Sequence, residues 1–467
     1  CRKYVMVGLL HYYDICKDEE LKGQIVEAIR KHLDYIISKV GPDKMDICQT
    51  SDFWEGLNSC SILEPVMAFY NIVKDPKVLE FAKYIVERGG TDTQNIVKLA
   101  YENELKPYQY KVTKAYEMMS FFEGVFEYYK VTKEEWLFTA VKNFIDAVSE
   151  TDLTLIGSCG CVHELFDNST KTQTIETEII KQETCVTVTW IRVNTKLLMY
   201  TNDVKYFENI ESSFYNGLLG ALNTENEKQY AQWENKYFYP SLFDSYSPLT
   251  NAHRGYGIGG FQYLGEDAYF GCCIAIGAAG IALMPLTAVM NNEGTFVINN
   301  YVEGTIDNGS ITISGGYVTN GVISITINKD GEYSFMLRKP EWSKSAFYIR
   351  GKNIVAMEDG YTSLKDTFKA GDVIKVCIAK SFVPVYINDS VAFLYPPLVL
   401  AFDQYKQKEF SPRDIKFNER SIVEQGVPEG EEIVRFLIDG YVLTNYDSCG
   451  KHYWDENNLM TIWFKNE

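Results

Sequence analysis

Four stretches in the first half of this chain share one pattern: a helix end, a short polar turn and a helix start. They cover residues 12–21, 69–79, 128–137 and 198–207. Aligned on Cys16, Val73, Thr132 and Thr201, they recur at intervals of roughly 60 residues. The turn chemistry fits the pattern. Asp75 precedes Pro76 as a cap precedes a first-turn proline. Thr132 and Glu135 have capping-box spacing, and Gly89-Gly90 closes the helix that Pro76 opens. Within that helix Val78, Leu79, Phe81, Ala82, Tyr84, Ile85 and Val86 recur at helical spacing. A single helical hairpin cannot bury its apolar face, whereas stacked hairpins cover one another. An α/α toroid is the expected closed arrangement.

The pattern changes near residue 290. From Gly294 onward, β-branched and aromatic residues alternate between the turn pairs Asn308-Gly309, Asn320-Gly321, Asp330-Gly331 and Asp359-Gly360. Residues 310–314 and 322–327 alternate with period two, as in short antiparallel strands of a β-sandwich. The expected fold is α+β and multidomain: a helical toroid over 1–287, a sandwich over 288–405 and a small β extension over 406–467. The helix-to-strand boundary is expected within 288–293.

With 467 residues, the chain can bury a large core. Its formal net charge of −18 argues against nucleic acid or an anionic membrane as partner, since both repel an acidic surface. Its 33 Tyr, 26 Phe and 7 Trp suit a carbohydrate site, although each aromatic taken singly is accounted for by core packing. Eleven scattered cysteines, an odd number, do not resemble a disulfide framework and point to a reducing, cytoplasmic setting. No apolar run is long enough to span a membrane, and no signal peptide is visible. The sequence starts at Cys1 and already reads as helix from Arg2, so a truncated N-terminus is expected, which leaves a lost leader open.

Two short stretches carry the chemistry: Glu183-Thr184-Cys185 and Cys272-Cys273. Together they offer one carboxylate and three thiols, ligands that zinc accepts in tetrahedral sets of four. Side chains two apart cannot both face one way along a helix, so Glu183 and Cys185 belong at a turn or a helix start. Cys272-Cys273 precedes an apolar helix over 274–284, where the positive end of a helix lowers thiol pKa values. Upstream, Glu164 follows His163 in a segment rich in glycine and cysteine. A carboxylic acid near a zinc-bound thiolate could protonate a leaving oxygen and then deprotonate water. His163 and Asp167 are the neighbouring alternatives. Gly255–Gly260 formally matches a dinucleotide fingerprint but neither follows a clear strand nor opens a helix of a βαβ unit. It reads better as a loop lining the site, with His253 and Arg254 before it as substrate contacts.

The order of these pieces resembles glycoside hydrolase family 127, the β-L-arabinofuranosidase-like proteins, over nearly the whole chain. The resemblance rests on the helical repeat, His163-Glu164-Leu165-Phe166, Glu183-Thr184-Cys185 and Gly271-Cys272-Cys273. It extends through Leu337-Arg338-Lys339-Pro340-Glu341-Trp342, Ala370-Gly371-Asp372 and Tyr395-Pro396-Pro397-Leu398-Val399-Leu400. It implies an (α/α)6 toroid carrying a zinc ion held by Glu183, Cys185, Cys272 and Cys273, with Cys272 as nucleophile and Glu164 as acid/base. It further implies retention of anomeric configuration and exo action on β-L-arabinofuranosides or a related sugar. Ser61 and Tyr116 stand where the family's arabinofuranosidases carry sugar-binding histidines, and Tyr246 matches an aromatic wall of the sugar site. The expected substrate contacts are thus Ser61, Tyr116, His163, Tyr246 and His253. The expected partner is a small oligosaccharide or glycoside, with no nucleic acid and no membrane, and a homodimer is compatible with the reading. The competing reading is a non-catalytic carbohydrate-binding protein with a structural zinc. A toroidal polysaccharide lyase fits an acidic chain with five histidines less well.

Overall fold

A computed structural model of the chain describes residues 2–162, 164–176, 182–223, 229–231, 236–238, 242–254, 271–452, 455 and 457–467. The chain divides into two compact units. The first comprises Cys1–Leu153 with Glu164–Thr170, and the second comprises Thr154–His163 with Lys171–Glu467.

The first unit is helical, and its turns show why the repeat exists. Helix Leu63–Val73 ends, Lys74 takes a left-handed conformation (φ 51°), and Asp75 caps helix Pro76–Arg88 by accepting from Lys77 N at 3.0 Å. Helix Ala115–Thr132 ends in the same way at Lys133 (φ 59°) before helix Glu135–Thr151. In the second unit, helix Thr184–Thr201 ends at Asn202 (φ 57°), and Asp203 caps Val204–Ser212 through Lys205 N at 3.1 Å. Val73, Thr132 and Thr201 are therefore each the last residue of a helix. One left-handed residue and one capping position follow each of them. Asp18 caps the corresponding first turn, accepting from Glu20 N and Leu21 N.

One local expectation is corrected. Thr132 does not open a capping box with Glu135. It belongs to the preceding helix, and its hydroxyl donates back to Tyr128 O at 3.2 Å. The left-handed Lys133 moves the N-cap to Glu134, whose side chain makes no cap bond. Gly124 accounts for a close helix approach within this unit, since a Cβ there would lie 2.7 Å from Glu64 N.

In the second unit, helices Cys272–Ile281 and Leu283–Ala288 run directly into strand Val289–Asn292. A four-stranded sheet orders Gly360–Phe368, Gly331–Lys339, Thr295–Ile298 and Val289–Asn292. A six-stranded sheet orders Asn353–Ala356, Ala346–Arg350, Val373–Ile378, Val322–Ile327, Ile311–Gly315 and Gly304–Ile306. Pairing among the described residues of these two sheets is antiparallel except between Thr295–Ile298 and Gly331–Lys339. Period-two patterning sends Ile323, Ile325 and Ile327 into a core shared with Phe296, Leu337 and Val376. A third sheet joins Ser390–Tyr395 and Leu398–Asp403 to Arg435–Ile438, Tyr441–Asn445 and Phe464–Asn466, so pairing runs across residue 405. Ala252–His253 also joins this sheet, against Leu459 and Met460. Among the described residues no helix is long and apolar enough to cross a membrane.

Candidate active site and metal centre

Glu183 occupies the N-cap of helix Thr184–Thr201, with extended backbone (φ −76°, ψ 134°), and Cys185 lies in the first turn. Residues 244–247 lace this helix start in place. Thr184 N donates to Ser245 O at 2.9 Å, Ser247 N donates to Gln182 O at 2.9 Å, and the Thr184 hydroxyl donates to Asp244 O at 2.5 Å. Glu183 and Tyr246 face each other across an isolated antiparallel bridge.

The second ligand pair opens helix Cys272–Ile281. Two glycines on that helix allow its close packing: a Cβ at Gly280 would sit 2.7 Å from Val188, and one at Gly277 would sit 2.5 Å from Phe243. A side chain at either position would push the helix, and its N-terminal thiols, away from Cys185.

The two helix starts bring four donors together. The ligand atoms of Glu183, Cys185, Cys272 and Cys273 all lie within 4.8 Å of one another. Cys185 Sγ is 3.3 Å from Cys272 Sγ and 3.2 Å from Cys273 Sγ, and the two vicinal sulfurs are 3.9 Å apart. A tetrahedral site with zinc–sulfur bonds of about 2.3 Å has a sulfur–sulfur edge of roughly 3.8 Å. The cluster is thus the right size for such an ion and could hold one. Glu183, Cys185 and Cys273 are buried, whereas Cys272 is exposed. A molecule arriving from solvent meets Cys272.

Three thiols this close cannot all ionise unaided. The thiols of Cys185 and Cys273 donate toward Cys272 and pull its pKa down to about 3. Cys185 is pushed far above the usual thiol range, first by its bonds to Cys272 and Cys273 and then by burial. Cys273 is also pushed up: Cys185 alone would lower it, but its bond to Cys272 and burial outweigh that. A divalent cation held by the three sulfurs would displace the protons that these thiols otherwise share.

The other expected residues are placed as follows. Glu164, in the first unit, forms an ion pair with Lys114. Its backbone carbonyl accepts from Ala115 N at 3.0 Å, and its φ of 64° is left-handed. Ser61 and Tyr116, far apart in sequence, meet around one ammonium: Lys3 Nζ is 3.3 Å from Ser61 Oγ and 5.3 Å from the Tyr116 ring centroid. Ser120 accepts from the same ammonium at 2.5 Å and donates to Glu64 at 3.0 Å. Tyr246 is half-buried beside Glu183. His253 is half-buried in its strand, and burial and then Arg413 lower its pKa. His163 and the Gly255–Gly260 motif lie outside the described residues.

The expectation that Arg254 touches substrate is corrected. Its side chain is buried, donating to Gly220 O at 2.5 Å and Cys449 O at 3.0 Å, with its guanidinium over the Tyr446 ring at 4.7 Å. It is a structural cross-link. Lys3 and Lys114 were not singled out from the sequence, because a lone lysine carries no motif and its partners lie dozens of residues away.

A helical N-terminal part followed by antiparallel sheets, with a carboxylate and three thiols converging at two helix starts, defines a narrow class. The family model described as β-L-arabinofuranosidase, GH127 catalytic domain, matches residues 1–285, and the GH127 middle-domain model matches residues 295–379. The chain belongs to glycoside hydrolase family 127 and is a glycosidase. A GH127 β-L-arabinofuranosidase from Geobacillus stearothermophilus T6 superposes with TM-score 0.68 at 14% identity, covering 100% of this chain and 80% of that one. A GH127 β-arabinofuranosidase gives TM-score 0.74 at 17% identity, covering 100% and 76%. A structure described as a glycoside hydrolase gives 0.71 at 16% identity, covering 96% and 79%. These likenesses concern the fold. None of the curated proteins compared with the chain matches it.

Proposed function

We propose that the chain is a retaining, exo-acting glycosidase for β-L-arabinofuranosides or a closely related sugar, with its catalytic part in residues 1–287. In this reading Cys272 is the nucleophile, Glu164 is the acid/base, and Glu183, Cys185, Cys272 and Cys273 hold zinc. The observation that carries it is the convergence of four ligand atoms, one of them on an exposed residue, Cys272. Bound zinc would keep the thiols deprotonated in a buried setting.

The usual retaining glycosidase attacks with a carboxylate; here the attacking atom is sulfur. Cys272 Sγ forms a bond to the anomeric carbon as the bond to the leaving oxygen breaks, and Glu164 gives that oxygen its proton. Glu164, now a carboxylate, takes a proton from water. The water oxygen bonds to the anomeric carbon, the carbon–sulfur bond breaks, and two inversions leave the configuration retained. Lys114 holds the Glu164 carboxyl in place. Ser61, Tyr116, His163, Tyr246 and His253 are the proposed sugar contacts.

Elemental analysis of the purified protein tests the centre directly. About one zinc per chain is expected, falling at least tenfold in Cys185→Ser, because a buried thiolate ligand is replaced by an un-ionised hydroxyl. A native protein without zinc removes this mechanism. Glu164→Gln is expected to lower kcat by roughly 10²- to 10⁴-fold on a methyl β-L-arabinofuranoside, with zinc content unchanged. Full activity in that variant would move the acid/base role elsewhere.

A further inference from the structure

The turn at Asp52–Gly56 holds two consecutive non-glycine residues in left-handed conformation, Trp54 (φ 54°, ψ 38°) and Glu55 (φ 48°, ψ 37°). Such strain persists only where surrounding structure enforces it. The enforcement is visible. The Glu55 carboxylate pairs with Lys111 and accepts from Thr93 N at 3.3 Å, and Glu55 O accepts from Asp92 N at 3.0 Å. Gly56 packs so tightly that a Cβ would lie 2.0 Å from Cys48 O.

These anchors account for Glu55 and Gly56 but not for Trp54, which remains 39% exposed, next to Phe53 at 72%. The turn therefore presents a tryptophan to solvent in a fixed pose. The Trp54 ring centroid lies 5.7 Å from Lys114 Nζ, and that ammonium pairs with the Glu164 carboxylate. Trp54, Lys114 and Glu164 all belong to the first unit. The ring is thus one side chain removed from the carboxyl group assigned as acid/base.

We propose that Trp54 is the stacking surface of a subsite for the leaving-group sugar. The inference rests on the reading of Glu164 as acid/base. A general acid sits within hydrogen-bond reach of the oxygen it protonates, so a platform beside it meets the ring on the departing side of the scissile bond. Sugar C–H groups present an apolar, weakly positive face to the negative face of an indole. A rigid ring held by a strained turn provides this surface at little entropic cost. Phe53, on the same turn, extends the apolar surface for a longer chain.

The test compares methyl β-L-arabinofuranoside, which lacks a leaving sugar, with a β-L-arabinofuranosyl disaccharide. In Trp54→Ala the disaccharide should lose at least tenfold more kcat/KM than the methyl glycoside, chiefly through KM. Trp54→Phe should recover most of that difference. Equal losses on both substrates, or no loss on the disaccharide, would overturn the proposal. Calorimetric titration of the disaccharide into Cys272→Ser, with and without Trp54→Ala, reads the subsite without turnover. A Kd at least tenfold weaker without the indole is expected, and an unchanged Kd overturns it. Full turnover by Glu164→Gln would instead defeat the acid/base reading, and the calorimetric result would still decide whether Trp54 binds sugar.

Discussion

Cys272→Ser is expected to lower turnover at least ~10⁴-fold on any glycoside the native protein cleaves, a loss of about 5.5 kcal/mol in transition-state stabilisation. The reasoning starts from exposure. Cys185 and Cys273 are buried, so neither sulfur can reach a sugar without dismantling the helix starts that hold it. Cys272 is exposed and receives hydrogen bonds from both other thiols, which favour its thiolate. Serine keeps the size of the side chain but not its ionisation or the nucleophilicity of sulfur. Circular dichroism should show the same fold, with a melting temperature within a few degrees of native, since an exposed position contributes little to packing. Cys273→Ser should also lose activity, together with its zinc. Cys272→Ser removes a proposed ligand as well as the attacking sulfur, so its zinc content should fall too, and undiminished hydrolysis by that variant would end the mechanism.

What could be read in the sequence, and what could not, follows the range of the interactions. Capping and left-handed turns are local, so Val73, Thr132 and Thr201 align correctly as helix ends from sequence alone. The misplaced capping box at Thr132 shows the limit: one left-handed lysine shifts the cap by two positions, and no side-chain pattern announces it. The convergence of Glu183, Cys185, Cys272 and Cys273 is legible because thiols and carboxylates at helix starts are chemically unusual even before their separation is known. The Lys3–Ser61–Tyr116 and Lys114–Glu164 contacts are not legible, since each joins common residue types across long sequence separations. The third sheet shows the same limit, because pairing between Leu398–Asp403 and Tyr441–Asn445 depends on register rather than composition.

Arg338→Met is expected to destabilise the second unit by about 3–5 kcal/mol, the range for removing one partner from a buried ion pair. Arg338 lies in strand Gly331–Lys339 and is fully buried. It reaches two carboxylates on helix Val204–Ser212: Glu208 at 2.8 and 3.0 Å, and Glu211 at 2.8 and 3.0 Å. Its remaining donor capacity goes partly to Asn299 O at 2.7 Å, and its guanidinium lies over Phe207 at 4.8 Å. Trp342 Nε1 donates to Glu211 at 2.9 Å, which explains why Arg338 and Trp342 occur together in the Leu-Arg-Lys-Pro-Glu-Trp stretch. Methionine fills much of the volume but leaves Glu211 buried without a cation. Lysine would keep the charge but not the two-sided fork. Burial by itself raises the Glu211 pKa, but attraction and hydrogen bonds from Arg338, with further donors from Tyr317 and Trp342, outweigh it and hold the group below the usual carboxylate range. A depressed carboxylate contributes stability above its unfolded pKa of about 4.3 and loses it as pH falls through the folded value. The gap between native protein and Arg338→Met should therefore be widest near neutral pH and narrow below about pH 4. Urea unfolding at pH 7 and pH 3.5 measures both quantities. Adding Glu208→Gln and Glu211→Gln to Arg338→Met should recover part of the loss, because the cost lies in buried unpaired charge rather than in missing volume. A gap that stays constant with pH, or no recovery in the triple variant, would assign the loss to packing alone.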